Sequence, residues 1–377
     1  MLFMATCSFG LEKVVFDELK KLGIWIEHKK DGHVFFSGEI DAMYRANLWL
    51  RTADKVFLVL KQTKAIDTFE KLFEAVYELP WPDLLRGEST FPVLVKSKKS
   101  KLTSTPACQS IVKKAIVKKL QTVYPETTFP ESGEEMVIQC WLENDELIVA
   151  INTSGEGLHR RGYRQNALHT ETPMRENLAA ALVNLSGWEK EMPLYDPFCG
   201  TGTILLEAAM IAYNIAPGLG RFFAFEKWKM CDTDEWEKVR KVALESRDET
   251  TKVTLIGSDQ SHEQISLSLE NIQTLDIPPI KLFDQDIRKV SLEGVGFKPT
   301  STIEKGMIVT NPPYGIKSDA KDIEEIYQAL ARRYHAWKGI SWHIFTAYEN
   351  IEKVFGQEAK KRRKLYNGGI KCYLYSF

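Results

Sequence analysis

From Met307 the chain reads Met-Ile-Val-Thr and then Asn311-Pro312-Pro313-Tyr314-Gly315. Two consecutive prolines fix φ and withhold two backbone N–H donors, which stiffens the loop and leaves its carbonyls free to accept. With the Asn311 side chain and the Tyr314 ring, the segment is an acceptor-rich, aromatic-tipped candidate catalytic loop at the end of an apolar strand. The competing reading is a proline-rich turn whose tyrosine packs in the core.

A second constellation lies upstream. Asp196-Pro-Phe-Cys199-Gly200-Thr201-Gly202 follows a short apolar strand and opens a helical stretch through Leu205, Leu206, Ala208 and Ala209. Glycines at such a turn let the backbone approach a ligand, and the carboxyl end of a strand is where open α/β sheets bind cofactors. The spacing is neither G-x-G-x-x-G nor G-x-x-x-x-G-K-[ST], and the leading acid disfavours phosphate and suits a cationic ligand. Asp259 ends the next predicted strand and Asp286 follows the one after, so three successive strands bring a carboxylate toward one edge. Such carboxylates accept from ribose hydroxyls or an adenine amine; taken singly, each is also explained as a solvated or helix-capping Asp.

The elements that position these residues are α/β. Apolar strands at Leu194–Tyr195, Val253–Gly257, Ile280–Phe283, Met307–Thr310 and Ile344–Thr346 alternate with helical segments, which predicts a doubly wound, mostly parallel sheet. Asn367-Gly368-Gly369 between two strand-like runs predicts a terminal antiparallel hairpin. The first part reads as two small α+β units. One has a helix over Leu11–Leu22 and strands at His33–Phe36 and Val56–Leu60. The other has a strand at Phe91–Val95, a helix over Gln109–Leu120 and a hairpin of Met136–Leu142 and Leu147–Asn152 turning at Asn144-Asp145. A polar, basic stretch with Arg160, Arg161 and Arg164 reads as a linker.

Composition sets the limits. At 377 residues more than one core is expected, and 44% hydrophobic with 27% charged residues is ordinary for a globular protein. Fifty Lys plus Arg against 51 Asp plus Glu leaves no global positive field, so nucleic-acid binding must come from local patches. Lys96, Lys98, Lys99 and Lys101 form one such patch, and Lys113, Lys114, Lys118 and Lys119 another; a solvated face explains any one of them equally well. Arg160, Arg161, Arg164 and the run Lys360 to Lys364 are lesser candidates. Six scattered cysteines show no C-x-x-C pair and read as reduced thiols. The absence of a basic leader or a long apolar run predicts a cytoplasmic protein that makes no membrane contact.

At the motifs quoted above, the chain resembles the class I S-adenosylmethionine-dependent methyltransferases of the N-P-P-Y type, which modify exocyclic amino nitrogens. The resemblance covers about Thr170 to Phe377. It implies that Asp196, Cys199, Gly200, Thr201 and Gly202 form the turn that holds the methionine part of the cofactor, with Cys199 a small packing residue there. Asp259 then takes the ribose, Asp286 lies beside the adenine, and Asn311 borders cofactor and base alike. Thr172 to Ala179 and the long interval from Gly202 to Asp259, with its Trp-bearing insertion, resemble the RlmL-like branch that methylates guanine N2 in bacterial 23S ribosomal RNA. The first part resembles a ferredoxin-like unit (1–62) followed by a THUMP RNA-binding domain (63–155), then a linker (156–169) and the methyltransferase domain (170–377).

The implied chemistry uses S-adenosylmethionine, yields S-adenosylhomocysteine, and calls for no metal and no obligate protein partner. Asn311 and the Pro312 carbonyl accept the amino protons, Pro313 stiffens the loop and Tyr314 stacks on the base. A tRNA guanine, an adenine N6 in RNA or DNA, a protein glutamine and a non-catalytic RNA-binding assembly factor are the competing readings.

Overall fold

The computed structural model describes residues 1–124, 129–164, 174–248, 250–297, 306–315 and 320–377. They fold into two compact units. One comprises Met1–Thr6, Glu18–Leu158 and Phe222–Lys241; the other comprises Cys7–Asp17, His159–Arg221 and Val242–Phe377.

In chain order the first part runs β1 Leu2–Thr6, α1 Glu12–Lys21, β2 Trp25–Lys30, β3 His33–Ser37, α2 Ile40–Trp49, β4 Lys55–Thr63, α3 Phe69–Tyr77, α4 Trp81–Leu84, β5 Val93–Lys98, α5 Thr105–Leu120, β6 Ile138–Glu143 and β7 Glu146–Asn152. Its strands make one sheet in the order β2-β3-β1-β4-β7-β6-β5. β4 is antiparallel to both β1 and β7, so the segments read as 1–62 and 63–155 share that sheet. Asn144 and Asp145 turn the β6–β7 hairpin at φ of 53° and 59°, as side chains tolerant of left-handed backbone allow. Ser104 caps α5 by accepting from the Ala107 N–H.

Strand alternation divides this sheet into two faces. Phe3, Phe36, Leu58, Ile138 and Ile151 lie on one and are buried. Met4, Phe35, Phe57, Val59 and Ala150 form a second buried cluster on the other. Three strands separate β3 from β6, about 19 Å across a flat sheet, yet the His33 and Trp141 rings are 5.6 Å apart. The sheet therefore curls over its second face, and Lys30 closes the curl at 3.3 Å from Glu146.

The second part runs α6 Glu176–Ser186, β8 Leu194–Asp196, α7 Thr203–Ala212, α8 Thr233–Glu245, β9 Leu255–Asp259, α9 His262–Thr274, β10 Lys281–Asp284, β11 Gly306–Thr310, α10 Ala320–Ala336, β12 Ile340–Thr346, α11 Ile351–Phe355, β13 Lys361–Asn367 and β14 Ile370–Ser376. The sheet order is β10-β9-β8-β11-β12-β14-β13. Strands β10 to β12 are mutually parallel, while β14 is antiparallel to both β12 and β13. The expected doubly wound sheet with a terminal hairpin is what forms. β8 is flanked by β9 on one side and β11 on the other, so the order reverses there; this switch point is where such sheets open a crevice.

Packing at the centre is tight. A Cβ added to Gly257 on β9 would lie 2.6 Å from Leu205, 2.8 Å from Leu282 and 3.0 Å from the Cys199 sulfur. Gly257→Ala is therefore expected to destabilise the second unit by about 1–3 kcal/mol, read as a lower denaturation midpoint. An unchanged midpoint would show that the neighbours relax freely.

Candidate active site

Three loops at the carboxyl ends of β8, β9 and β11 meet at the switch point. Asp196, 1% exposed, accepts from the Thr310 hydroxyl at 2.6 Å and from the Phe198 N–H at 3.1 Å. The first bond joins the Gly-rich turn to the residue just before Asn311. The second curls the turn back on its own acid. Burial, the largest influence, pushes the Asp196 carboxyl up to about 7 against the pull of these donors.

The turn is pinned from β9. Asp259 accepts from the Gly200 N–H at 3.0 Å and the Ser261 N–H at 2.9 Å, while the Cys199 N–H donates to the Ser258 carbonyl. Each Asp259 oxygen takes one backbone donor, so lone pairs remain for further hydroxyls. Burial raises this carboxyl too, against those backbone hydrogen bonds. Gly202 has φ of 82° and abuts the Ser268 side chain so closely that a Cβ there would overlap it, which fixes glycine at that position on two grounds. Cys199 is buried as expected of a packing residue, and Asn271 donates to the Thr201 carbonyl at 3.1 Å.

Beyond β9 the edge is acidic and amide-rich. Asp284, absent from the residues singled out in the sequence, ends β10 in register with Asp259 and sits 3.3 Å from His262. Gln260, Asp284, Gln285, Asp286 and Lys289 line an open groove. Asp286 lies two residues past the strand and is gripped by the Arg288 guanidinium. Burial works against its charge, but the Arg288 hydrogen bonds and charge outweigh it and hold the carboxyl below its ordinary value. The in-register signal, an acid at the last position of consecutive parallel strands, points to Asp284 once the strand end is known.

β11 lies between β8 and β12 and delivers Asn311 to the switch point. The Asn311 Oδ1 atom is buried and, among the described residues, receives no hydrogen bond. Buried acceptors are nearly always paired, so one left open at a loop marks a place for an incoming donor. Pro312 is buried, and Pro313 and Tyr314 are half-buried. The Tyr314 hydroxyl accepts from Asn367 Nδ2 at 2.8 Å, and burial raises its pKa above the ordinary value.

The stretch read as a basic linker is partly core, and two of its arginines are not RNA candidates. Arg161 is 3% exposed and pairs with the fully buried Glu207 of α7 at 3.1 Å. Arg164 pairs with Glu176 at 3.3 Å and donates to Thr203, the first residue of α7. Removing one partner of such a pair strands a buried charge, typically at about 3–5 kcal/mol. A polar pattern without periodicity hides this, because the partners are 46 and 12 residues away in sequence. Residues 165–173, which include Thr172 and Pro173 of the expected lead-in, lie outside the described residues.

The lysine patches border the edge strand β5 from opposite sides. Lys96 and Lys98 alternate with Val95 and Ser97, on the face away from α5. Lys113 and Lys114 line a groove with Val93 and Gln109. Lys98, Lys101 and Lys113 are ion-paired with Glu143, Asp67 and Glu131. Lys96, Lys99 and Lys114 make no ion pair among the described residues.

This arrangement, a Gly-rich turn and an N-P-P-Y loop at the switch point of a seven-stranded sheet ending in an antiparallel hairpin, is that of a class I methyltransferase. Residues 161–376 match the profile of the RMKL-like methyltransferase domain, 2–57 that of the RlmL ferredoxin-like domain and 67–152 that of the THUMP domain. The chain is 39% identical to YpsC of Bacillus subtilis, provisionally named an RNA methyltransferase, over 99% of this chain and 95% of that one. It is 31% identical over 98% of its length to the ribosomal RNA large subunit methyltransferase K/L of Psychromonas ingrahamii, and spans 49% of that protein. Of solved structures, SMU.472, a provisionally assigned methyltransferase complexed with S-adenosylhomocysteine, superposes with TM-score 0.89 at 38% identity, covering 100% of this chain and 97% of that one. A Listeria monocytogenes protein named as a predicted N6-adenine-specific DNA methylase superposes with TM-score 0.90 at 36% identity, covering 100% and 95%. The chain belongs to the RMKL-like methyltransferase family, and its cofactor is S-adenosylmethionine.

Because Asp196 is raised to about 7 in the folded state and would titrate near ~4 when unfolded, its contribution to stability is complete below about pH 4 and declines as pH rises toward 7. Asp196→Asn removes that titration. Melting curves between pH 4.5 and 7.5 are expected to show a shallower decline for the variant; identical slopes would contradict the buried, raised carboxyl.

Proposed function

We propose that the protein transfers a methyl group from S-adenosylmethionine to an exocyclic amino nitrogen of a base in RNA, with N2 of a guanine in 23S ribosomal RNA as its target. The observation that carries the reading is the buried Asn311 Oδ1 at the end of the central strand, unpaired among the described residues. The RNA assignment is supported by the THUMP match and by the names of YpsC and the K/L enzyme, although the chain is about half the length of the latter.

The cofactor supplies a methyl carbon made electrophilic by its sulfonium. Everything else falls to the chain. Backbone groups from Cys199 to Gly202 take the methionine part, the spare lone pairs of Asp259 take ribose hydroxyls, and Asp286 in its groove lies beside the adenine. An exocyclic amine shares its lone pair with the ring, so the site must free that pair and aim it. Asn311 Oδ1 and the Pro312 carbonyl accept hydrogen bonds from the two amino N–H groups, which raises electron density on nitrogen as it takes the methyl group, and one amino proton then leaves to solvent. Tyr314 stacks on the base, a contact worth about 1–3 kcal/mol. A paired target first leaves its stack, which costs a few kcal/mol. Lys96, Lys99 and Lys114, which make no ion pair among the described residues, meet phosphates, with Lys98, Lys101 and Lys113 joining where RNA displaces their acid partners.

The same acceptors serve an adenine N6, and the name of the Listeria structure favours that base. Either way Asn311 is central. Asn311→Ala is expected to lower single-turnover methyl transfer by at least about 100-fold while S-adenosylmethionine affinity by calorimetry stays within about twofold, since the loop's backbone is untouched. Unchanged transfer would remove the proposed role; lost cofactor affinity would make Asn311 a binding residue instead.

A further inference from the structure

The run Lys360 to Lys364 reads in sequence as one basic cluster. Strand alternation divides it. Arg363 turns to one face, donating to the Gly10 carbonyl at 2.5 Å, and on that face Leu365 and Cys372 are fully buried. Arg362 and Lys364 lie on the other. The register sets Lys364 opposite Tyr373 and Tyr366 opposite Lys371, so cations and rings form a checkerboard across the two strands. Each cation sits near a ring: Lys364 Nζ is 5.6 Å from Tyr366, Lys371 Nζ 5.8 Å from Tyr373 and the Arg362 guanidinium 5.3 Å from Tyr373. The three cations are exposed and the two rings half-exposed; Arg362 also has Glu352 at 3.6 Å.

An edge strand needs charge to discourage pairing with other strands, and β13 is an edge strand. That need does not account for rings interleaved with the cations across both strands. Nor does it account for the tip, where Asn367 donates to the Tyr314 hydroxyl at 2.8 Å. Lys364 is three strand residues from Asn367, about 10 Å along the chain. By the same alternation Asn367 shares the face of Arg363, so the checkerboard lies across the hairpin from the contact that holds the ring proposed to stack on the target base, on the same two strands.

Building on the RNA methyltransferase reading, we propose that the Arg362, Lys364, Tyr366, Lys371 and Tyr373 face of the terminal hairpin docks the RNA strand that flanks the target nucleotide. The cations meet its phosphates and the tyrosines stack on its unpaired bases. Single-stranded RNA is recognised by this pairing of positive charge with aromatic platforms.

The test uses the full chain and the RNA it methylates. Lys364→Ala/Lys371→Ala is expected to raise KM for RNA about tenfold at about 0.15 M salt, with kcat and cofactor affinity unchanged. The slope of log KM against log salt should fall by about one for each phosphate the variant no longer neutralises. Lys364→Arg/Lys371→Arg should restore both. Tyr366→Leu should raise KM with the slope unmoved, because stacking releases no counterions. If the wild type methylates RNA and the Lys-to-Ala variant matches it in KM and slope, the docking face is wrong. If that variant loses kcat with KM unmoved, the hairpin only supports Tyr314 and the docking face is equally wrong. A wild type that methylates no RNA would overturn the function on which this inference rests.

Discussion

The hydrogen bond from Thr310 to Asp196, 2.6 Å long and wholly buried, is the contact on which the site depends. It ties the residue preceding the N-P-P-Y loop to the acid that heads the Gly-rich turn, so neither loop can shift without the other. In a low-dielectric interior such a bond is strong, and losing either partner would leave the other unsatisfied. Transfer between two bound molecules requires their reacting atoms to be held in line, and displacement of about 1 Å is costly. A fixed spacing between the two loops supplies that constraint from within the chain.

Around this contact the second unit repeats one device: acids at strand ends accept from the backbone of the neighbouring loop. Asp259 holds Gly200 and Ser261, and Asp196 holds Phe198. The same carboxylates that shape the turn keep lone pairs, so on the proposed reading building the site and offering it to the cofactor are one task. Arg161 with Glu207, and Arg164 with Glu176 and Thr203, brace the helix that leaves the turn. Asn367 does the same for Tyr314 from the far edge of the sheet.

The chemistry is more legible in the sequence than its support. The N-P-P-Y loop and the Gly-rich turn are local, and strand alternation announces the sheet that carries them. Arg161 looks like linker because its partner is 46 residues away and nothing local marks it as buried. β1, wholly apolar save its last residue, and β2, polar on a sheet edge, lack the alternation that betrays a strand and so escape a pattern-based reading. Asp284 escapes it because the apolar run stops at Phe283, one residue before the strand does. The segment Phe222–Lys241 reads as an insertion in the methyltransferase part, yet it belongs to the first unit, where Phe225 and Trp236 pack on Tyr44 at 5.0 and 5.5 Å. Ring contacts between residues some 190 positions apart leave no periodic trace.

The most direct test of the central claim is to identify the methylated nucleoside. Labelled S-adenosylmethionine would be incubated with the protein and separated ribosomal RNA and tRNA from cells lacking it, and the RNA digested and analysed by mass spectrometry. The account predicts label in N2-methylguanosine from the large-subunit ribosomal RNA. Label on a carbon or a ring nitrogen, or transfer only to DNA or protein, would contradict it.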